Sequence, residues 1–144
     1  RVSFFANTNV LDVSCGQSKA HPHTLAITES EQERTVWAWG DAYKDQLGEP
    51  ISQEFTCTPT QISFFDGRNA EKVCSGGIHS MALCDGKVFT WGCGSDGRLG
   101  HPECEGHRYL YKESTPRVIA SKHVASDISC SYYHSACVAR PNTN

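Results

Sequence analysis

A histidine, a Trp-Gly pair and a Leu-Gly pair recur in the same order along this chain. The copies are His23, His79 and His134; Trp39-Gly40 and Trp91-Gly92; Leu47-Gly48 and Leu99-Gly100. The histidines are 56 and 55 residues apart, and the copies of each pair are 52 residues apart. Self-similarity at a nearly fixed period is the signature of repeat architectures, in which stacked units bury a shared core. The chain is therefore expected to be an array of similar units.

Short apolar runs on either side of tight turns predict β-hairpins. In the second unit, Asp85-Gly86 separates an apolar run at 79–84 from another at 87–91. An Asp-Gly pair suits a type I′ turn, because both central residues of that turn take positive φ. Residues 23–39 of the first unit predict the same hairpin with a longer tip, a loop at 29–34.

A third hairpin is predicted where Asp66-Gly67 lies between Gln61–Phe65 and Ala70–Ser75. Each unit then offers about four short strands, which is the strand count of a β-propeller blade. We therefore expect an all-β fold: an incomplete β-propeller made of four-stranded antiparallel blades. The partial propeller takes in residues 1–144, divided into repeat one at 1–60, repeat two at 61–116 and the first half of repeat three at 117–144.

The middle unit has the most specific sequence, VCSGGIHSMAL at 73–83 and VFTWGCGSDGRLGH at 88–101. This order of small residues, His-Ser, hairpin, Trp-Gly and Leu-Gly resembles the regulator of chromosome condensation repeat family. The resemblance covers essentially all 144 residues. Residues 19–22 look inserted, and Asp45 and Ser131 stand where the family has glycine. Because Asp tolerates the left-handed region better than most residues, we expect Asp45 to keep its turn.

The resemblance implies a role in protein–protein interaction. Propellers similar to those of this family act as guanine-nucleotide exchange factors for small GTPases, as parts of HECT-type ubiquitin ligases and as scaffolds. We expect an interaction or scaffold segment whose partner is a protein, a small GTPase being one candidate. Two alternatives stay open: part of an exchange factor for a Ran-like small GTPase, or the propeller of a HECT-type ubiquitin ligase. Whether the protein is an enzyme is left undecided.

Composition narrows the classes of partner. The net charge is −3 and no stripe of Lys and Arg is present, which disfavours direct nucleic-acid binding. No window approaches 18 uninterrupted apolar residues, so no membrane span is expected. Most of the eight cysteines align with Ala, Ser or Thr in other copies, which indicates small packing thiols rather than disulfides. Reduced thiols predict a cytoplasmic or nuclear location.

Signals for chemistry are sparse. The sequence has no phosphate-binding loop, nucleophile elbow or suitably spaced carboxylate pair, so we expect no catalytic residue and no cofactor. The recurring histidines are interpreted as core residues that hydrogen bond to nearby backbone, one in each blade. A zinc site at Cys93, His101, Cys104 and His107 is the competing interpretation. We disfavour it because structural zinc sites have a longer separation between ligand pairs, and no metal is expected.

The long connection after Leu99-Gly100 is the predicted partner-binding segment, because loops on rigid scaffolds usually carry binding. Arg and Tyr are enriched at interface hot spots. The candidate contact residues are Arg98, His101, Arg108, Tyr109 and Tyr111. The alternative is that Tyr109 and Leu110 fold under the loop to hold it in place.

Incomplete blades lead to one more expectation. Full propellers protect their strand edges by radial repetition. Two and a half blades leave apolar flanks and unpaired edges, and such edges favour association. We therefore expect the chain to self-associate or to be the ordered part of a longer chain.

Overall fold

The structure is a computed structural model and describes residues 2–105 and 111–143. The strands are β1 (Asn9–Cys15), β2 (His23–Ser30), β3 (Glu33–Asp41), β4 (Phe55–Gln61), β5 (Ala70–Ser75), β6 (His79–Cys84), β7 (Lys87–Cys93), β8 (Lys112–Val118), β9 (His123–Cys130) and β10 (Ser135–Pro141). Short 3₁₀ helices lie at Ser3–Phe5, Ser63–Phe65, Ser95–Gly97 and Pro102–Glu105. None of the helices in the described ranges is long and apolar enough to cross a lipid bilayer.

The strands form antiparallel sheets in chain order. Strands β1 to β4 make one four-stranded sheet, β5 to β8 a second, and β9 pairs with β10. We call these sheets blade 1, blade 2 and blade 3. The all-β propeller architecture with four-stranded antiparallel blades is confirmed.

The hairpin in blade 2 has the predicted turn. Asp85 has φ 47° and Gly86 has φ 72°, so both central residues lie in the left-handed region that a type I′ turn requires. Strands β6 and β7 pair up to Cys84 and Lys87, directly beside that turn. The Asp-Gly signal is therefore confirmed here.

The longer tip predicted for the blade 1 hairpin is wrong. Strands β2 and β3 continue to a two-residue turn, with Glu31 at φ 49° and Gln32 at φ 70°. Glu29 pairs with Arg34 across the strands, and the Arg34 Nε lies 3.2 Å from the Glu29 Oε1. Glu29 and Arg34, which the sequence placed in a loop, are thus cross-strand partners of opposite charge.

The hairpin predicted around Asp66-Gly67 is also wrong. Strand β4 belongs to blade 1 and β5 to blade 2, and Ser63–Phe65 between them is a 3₁₀ helix. Asp66 has φ −60°, which a type I′ turn excludes, and only Gly67 is left-handed at φ 70°. Ile62 and Phe65 are fully buried, so this connection is drawn into the core between two blades.

Two apolar clusters join the blades. The first lies between blades 1 and 2 and consists of Leu25, Ile27, Val36, Ala38, Leu47, Ile62, Phe65, Ala70, Val73, Ala82, Cys84, Phe89 and Trp91. The second lies between blades 2 and 3 and consists of Met81, Leu83, Val88, Ala125 and Ile128. Each sheet therefore buries apolar side chains against its neighbour, as expected of a repeat array.

Candidate interaction face

One end of the three blades carries the loops that lead into the second strand of each blade and the loops that leave each Trp-Gly strand. Antiparallel strands joined in sequence put alternate connections at the same end of a sheet. Backbone hydrogen bonds align these ends between blades, from Gln17 to the Gly76 carbonyl at 3.0 Å and from Gly77 to the Tyr132 carbonyl at 3.2 Å. We call this end the loop face, and its described loops are 16–22, 42–54, 76–78, 94–105 and 131–134.

A hydrogen-bond relay ties the loop face of blade 1 to blade 2. The His23 Nε2 lies 2.9 Å from the Ser80 Oγ, and that hydroxyl donates to the Gln46 carbonyl at 2.7 Å. His23 and Gln46 belong to blade 1, whereas Ser80 belongs to blade 2. The histidine is thus a buried structural residue, but its partner is a side chain of the next blade.

The same relay recurs between blades 2 and 3. The His79 Nε2 lies 2.9 Å from the Ser135 Oγ, which donates to the Arg98 carbonyl at 2.7 Å. Gln46 and Arg98 both directly precede the leucine of a Leu-Gly pair. The third histidine, His134, is exposed on blade 3.

The relay fixes the tautomer of both histidines. Because each serine hydroxyl gives its one proton to a carbonyl, we assign the proton between serine and imidazole to Nε2. The Nδ1 atoms of His23 and His79 are then bare acceptors, and they have no hydrogen-bond partner among the described residues. Desolvation by burial lowers the pKa of His23 to about 4 and that of His79 to about 3, so both are neutral at physiological pH.

Glycine is required beside the relay histidines. A β-carbon on Gly76 would lie 2.2 Å from the His79 Cε1, and one on Gly16 would lie 2.8 Å from the His23 Nδ1. Blade 3 has Ser131 at the corresponding position, beside the exposed His134. Gly16 and Gly76 therefore make room for the buried rings of His23 and His79.

Trp91 forms a second link between blades 1 and 2. Its Nε1 donates to the Gln46 carbonyl at 2.9 Å, and its ring lies 5.6 Å from the Phe65 ring. Gly48 passes so close that a β-carbon there would lie 2.7 Å from the Trp91 Nε1. The same carbonyl thus accepts from Ser80 and from Trp91. The Leu-Gly loop of blade 1 is held by blade 2 from two directions.

The left-handed conformation expected at Asp45 is present, with φ 58° compared with 75° at Gly97. The Asp45 carboxylate also accepts a hydrogen bond from the Ser114 hydroxyl at 2.7 Å and lies 2.6 Å from the Lys112 Nζ. Aspartate therefore keeps the turn and joins the loop face of blade 1 to strand β8.

The predicted partner-binding residues occupy different environments. Arg98 is 5% exposed, donates to the Ser95 carbonyl at 2.8 Å and lies 5.0 Å from the Tyr133 ring. His101 is 4% exposed, and its Nε2 lies 3.0 Å from the Thr90 hydroxyl.

Tyr111 is half-buried, with its hydroxyl 2.6 Å from the Glu113 Oε1. Arg108 and Tyr109 lie outside the described residues, as does Leu110. Arg98, His101 and Tyr111 thus make internal contacts in this structure, and the assignment of all five residues to a partner surface stays a prediction.

The residues weighed for zinc are placed only in part. The Cys93 Sγ donates to the Ser95 hydroxyl at 3.3 Å, and His101 is bonded to Thr90. His107 and the side chain of Cys104 lie outside the part of the chain that the structure describes. Cys93 and His101 therefore each have a protein partner.

Sequence reasoning missed an aromatic cluster on the loop face of blade 1. The inserted loop brings His21 onto Tyr43, with ring centroids 4.5 Å apart and planes at 11°. The His21 Nδ1 lies 3.2 Å from the Asp41 Oδ2, and the Lys44 Nζ lies 4.9 Å from the Tyr43 ring centroid. Tyr43 is 52% exposed. The departure of residues 19–22 from the repeat pattern was the one signal for it.

The fold and its repeated inter-blade links define a β-propeller repeat protein. The model of the regulator of chromosome condensation (RCC1) repeat matches residues 35–83 and 85–138. The chain therefore belongs to the RCC1 repeat family.

Curated relatives have the same repeats in longer proteins. The chain is 42% identical to the human E3 ubiquitin-protein ligase HERC2 over 101 residues, which is 69% of this chain and 2% of HERC2. It is 32% identical to human Protein RCC2 over 93 residues, 64% of this chain and 16% of RCC2. The chain therefore spans a small part of the length of these relatives.

A solved structure supports the fold independently. Prp20p from Saccharomyces cerevisiae matches with a TM-score of 0.75 at 15% identity, covering 96% of this chain and 32% of Prp20p. At that identity the likeness shows a shared fold.

Proposed function

We propose that this chain is a protein-interaction segment of an RCC1-like propeller. The observation that carries the proposal is the relay through Ser80 and Ser135, which fixes a loop of one blade to the next blade. Loops held in this way form one surface made from several blades, and loops on rigid scaffolds are where binding usually resides. The relay histidines have structural partners, which leaves the exposed loop side chains for binding.

Two exposed aromatic side chains mark the surface. Tyr43 is 52% exposed and stacked on His21, and Tyr133 is 55% exposed and lies over the Arg98 guanidinium. Aromatic side chains that are already ordered lose little conformational entropy on binding, and Tyr is enriched at hot spots. We propose the loop face around His21, Tyr43 and Tyr133 as the contact surface.

The test compares variants at opposite ends of the blades in the native protein. Quantitative interaction mass spectrometry identifies partners, and their affinities are then measured with purified components. We expect Tyr43→Ala to weaken binding by about tenfold or more, as for a hot-spot tyrosine. The control is Lys122→Ala, an exposed residue in the connection at the other end, which should leave binding unchanged. Equal affinities for wild type, Tyr43→Ala and Tyr133→Ala would refute this surface.

A first, finer candidate is nucleotide exchange on a Ran-like small GTPase. Prp20p, which shares the fold, binds Gsp1p and histones. The test is release of fluorescent GDP from purified Ran in the presence of the native protein. Acceleration supports the candidate, and an unchanged rate at saturating protein eliminates it.

A second, finer candidate is a role in ubiquitin transfer, which the 42% identity to a segment of HERC2 favours. The test is ubiquitin conjugation by the native protein with purified activating and conjugating enzymes. Transfer that depends on the native protein supports the candidate. A reaction no faster than that without the protein eliminates it.

Self-association of the chain is a further proposal, which the exposed side chains support. Val138 on β10 is 63% exposed and Val13 on β1 is 59% exposed, so both terminal blades present apolar residues to solvent. Size-exclusion chromatography with light scattering should show a dimer or a larger species, reduced by Val138→Lys. A monomer at high concentration would refute it.

Imaging of the tagged native protein tests the proposed cytoplasmic or nuclear location.

A further inference from the structure

The first strands of neighbouring blades are joined by a reciprocal pair of hydrogen bonds. Between blades 1 and 2, the Ser75 amide donates to the Ser14 Oγ at 2.9 Å, and the Ser75 hydroxyl donates to the Ser14 carbonyl at 3.0 Å. The side chain of each serine thus hydrogen bonds to a backbone group of the other serine. The arrangement fastens β1 to β5.

Cysteines make the same pair between blades 2 and 3. The Cys130 amide donates to the Cys74 Sγ at 2.8 Å, and the Cys130 Sγ donates to the Cys74 carbonyl at 3.4 Å. Cys74 thus stands where blade 1 has Ser14, and Cys130 stands where blade 2 has Ser75. Sulfur is a weaker donor and a weaker acceptor than a hydroxyl oxygen, so hydrogen bonding alone does not favour thiols here.

Two free thiols therefore face each other across a blade interface. Both cysteines are half-buried and unoxidised in the structure. Each sulfur contacts the backbone of the other cysteine, so both lie at the same point of the interface. What two thiols can do in this position, and two hydroxyls cannot, is to form a covalent bond.

The surroundings shift the pKa values of the two thiols in opposite directions. Hydrogen bonding from Cys130, whose amide donates to the Cys74 Sγ, together with the nearby Lys72 and Ser14, lowers the pKa of Cys74 against the opposing effect of burial. The hydrogen bond with Cys74, together with burial, raises the pKa of Cys130. Lys72 is also paired with Asp127 on blade 3. Cys74 is therefore the more acidic of the two thiols and the one that more readily forms a thiolate.

We propose that Cys74 and Cys130 form a peroxide-sensitive dithiol that cross-links blades 2 and 3. The Cys74 thiolate attacks one oxygen of hydrogen peroxide, the O–O bond breaks, and the hydroxide that leaves is protonated to water. Cys74 is then a sulfenic acid, at the oxidation level that condenses with a thiol. The Cys130 sulfur attacks the Cys74 sulfur, the S–O bond breaks, and the proton of the Cys130 thiol leaves with hydroxide as a second water. Two thiols are oxidised and one peroxide is reduced.

The cross-link acts on one interface and spares the other. Cys74 and Cys130 are 56 positions apart in the sequence, so the disulfide closes a long loop and fastens β5 to β9. The corresponding Ser14 and Ser75 cannot respond to an oxidant. Oxidation therefore fixes the distance between blades 2 and 3 and leaves the join between blades 1 and 2 as it is.

The experiment treats the reduced full chain with hydrogen peroxide at pH 7, blocks remaining thiols with N-ethylmaleimide and maps disulfides by mass spectrometry. Cys84 lies in the same tryptic peptide as Cys74, and Cys137 in the same one as Cys130, so chymotrypsin is used as a second protease. We expect an intramolecular Cys74–Cys130 disulfide as the first product.

Matched variants separate the role of Cys74, which reacts with peroxide, from that of Cys130, which then forms the disulfide. Cys130→Ser keeps a donor like that of Ser75 and should leave Cys74 as a sulfenic acid that dimedone traps. The double variant Cys74→Ser with Cys130→Ser reproduces the Ser14–Ser75 pair. It should fold normally by circular dichroism and form no cross-link.

A pH profile tests the acidity of Cys74 separately from the cross-link. The pH midpoint for alkylation of Cys74 should lie below the value of about 8.5 for a free thiol, and Cys130→Ala should move this midpoint towards that value. The proposal is overturned if both thiols still react fully with maleimide after peroxide treatment. It is also overturned if Cys74 pairs first with Cys84 or with a second chain.

Discussion

Removing the Ser80 hydroxyl tests the inter-blade relay most directly. Ser80→Ala leaves the His23 Nε2–H without an acceptor and takes one donor from the Gln46 carbonyl, which keeps the bond from Trp91. All of these groups are buried. A buried group that loses its partner costs about 1–3 kcal/mol. With the Gln46 carbonyl still bonded, we expect a decrease of about 2–3 kcal/mol in the free energy of unfolding.

The chain has a matched control for this substitution. Ser135→Ala breaks the same pair of bonds, from His79 and to the Arg98 carbonyl, but Ser135 is only half-buried on blade 3. His79 and Arg98 are themselves buried, but the position that the Ser135 hydroxyl vacates is half-exposed, so a water can enter it and the expected decrease is about 1 kcal/mol. Both substitutions remove the same hydroxyl from the same relay, and they differ in the burial of that hydroxyl and in the second donor, Trp91, that the Gln46 carbonyl keeps.

Equilibrium urea denaturation of the two variants measures the difference. Fluorescence is read in a background with Trp37→Phe and Trp39→Phe, so that Trp91, whose indole donates to the Gln46 carbonyl, reports on this interface. The denaturant slope should stay that of the wild type, so that the midpoint shift reflects stability. Equal effects of the two substitutions, or a loss below about 0.5 kcal/mol for Ser80→Ala, would refute the burial argument.

Three further predictions follow from the interior. Because burial holds the pKa values of His23 and His79 below the 6.5 of the unfolded chain, their contribution to stability is complete above pH 6.5 and falls as the pH decreases. At pH 5 the proton uptake of each histidine on unfolding lowers the free energy of unfolding by about 2 kcal/mol. Acid titration followed by circular dichroism should therefore give a midpoint at lower pH for His79→Gln than for the wild type, and a midpoint at higher pH would contradict the linkage. Gly76→Ala should lower the free energy of unfolding by about 3 kcal/mol, because the added methyl group would collide with the His79 ring. Gly67→Ala meets nothing within 4 Å and should cost only about 1 kcal/mol of backbone strain. Equal losses in thermal unfolding would contradict this. Burial raises the pKa of Cys84 to about 12, so this thiol should resist iodoacetamide at pH 8 in the native state, and rapid labelling there would contradict its burial.

The repeat pattern was enough to predict the fold class, because each landmark has a geometric reason that does not depend on the rest of the molecule. Asp85-Gly86 lies between two apolar runs and specifies a two-residue turn by its backbone preferences alone. Asp66-Gly67 has the same residues and leads from one blade to the next. Local turn signals do not distinguish these cases, since the burial of Ile62 and Phe65 in the core between two sheets decides the path.

The candidate site was harder to predict because its contacts cross between blades. The sequence indicated that His23 and His79 are core residues, but not that their partners are hydroxyls of the following blade. Arg98 was selected for its chemical type, although its side chain is 5% exposed. The stack of His21 on Tyr43 joins two loops of blade 1 that no periodic pattern relates. Residue type and repeat period therefore predict which residues lie in the core. The distances between neighbouring blades determine which side chains these residues contact.

The matched repeats begin and end in the middle of blades. Residues 35–83 run from the third strand of blade 1 to the second strand of blade 2, and residues 85–138 continue in the same phase. Excision of 35–83 would leave β1 and β2 followed by β7 and β8, again a complete four-stranded set. A gene that gains or loses one such unit thus changes the number of blades without producing a half-sheet, so propeller size can evolve by whole steps.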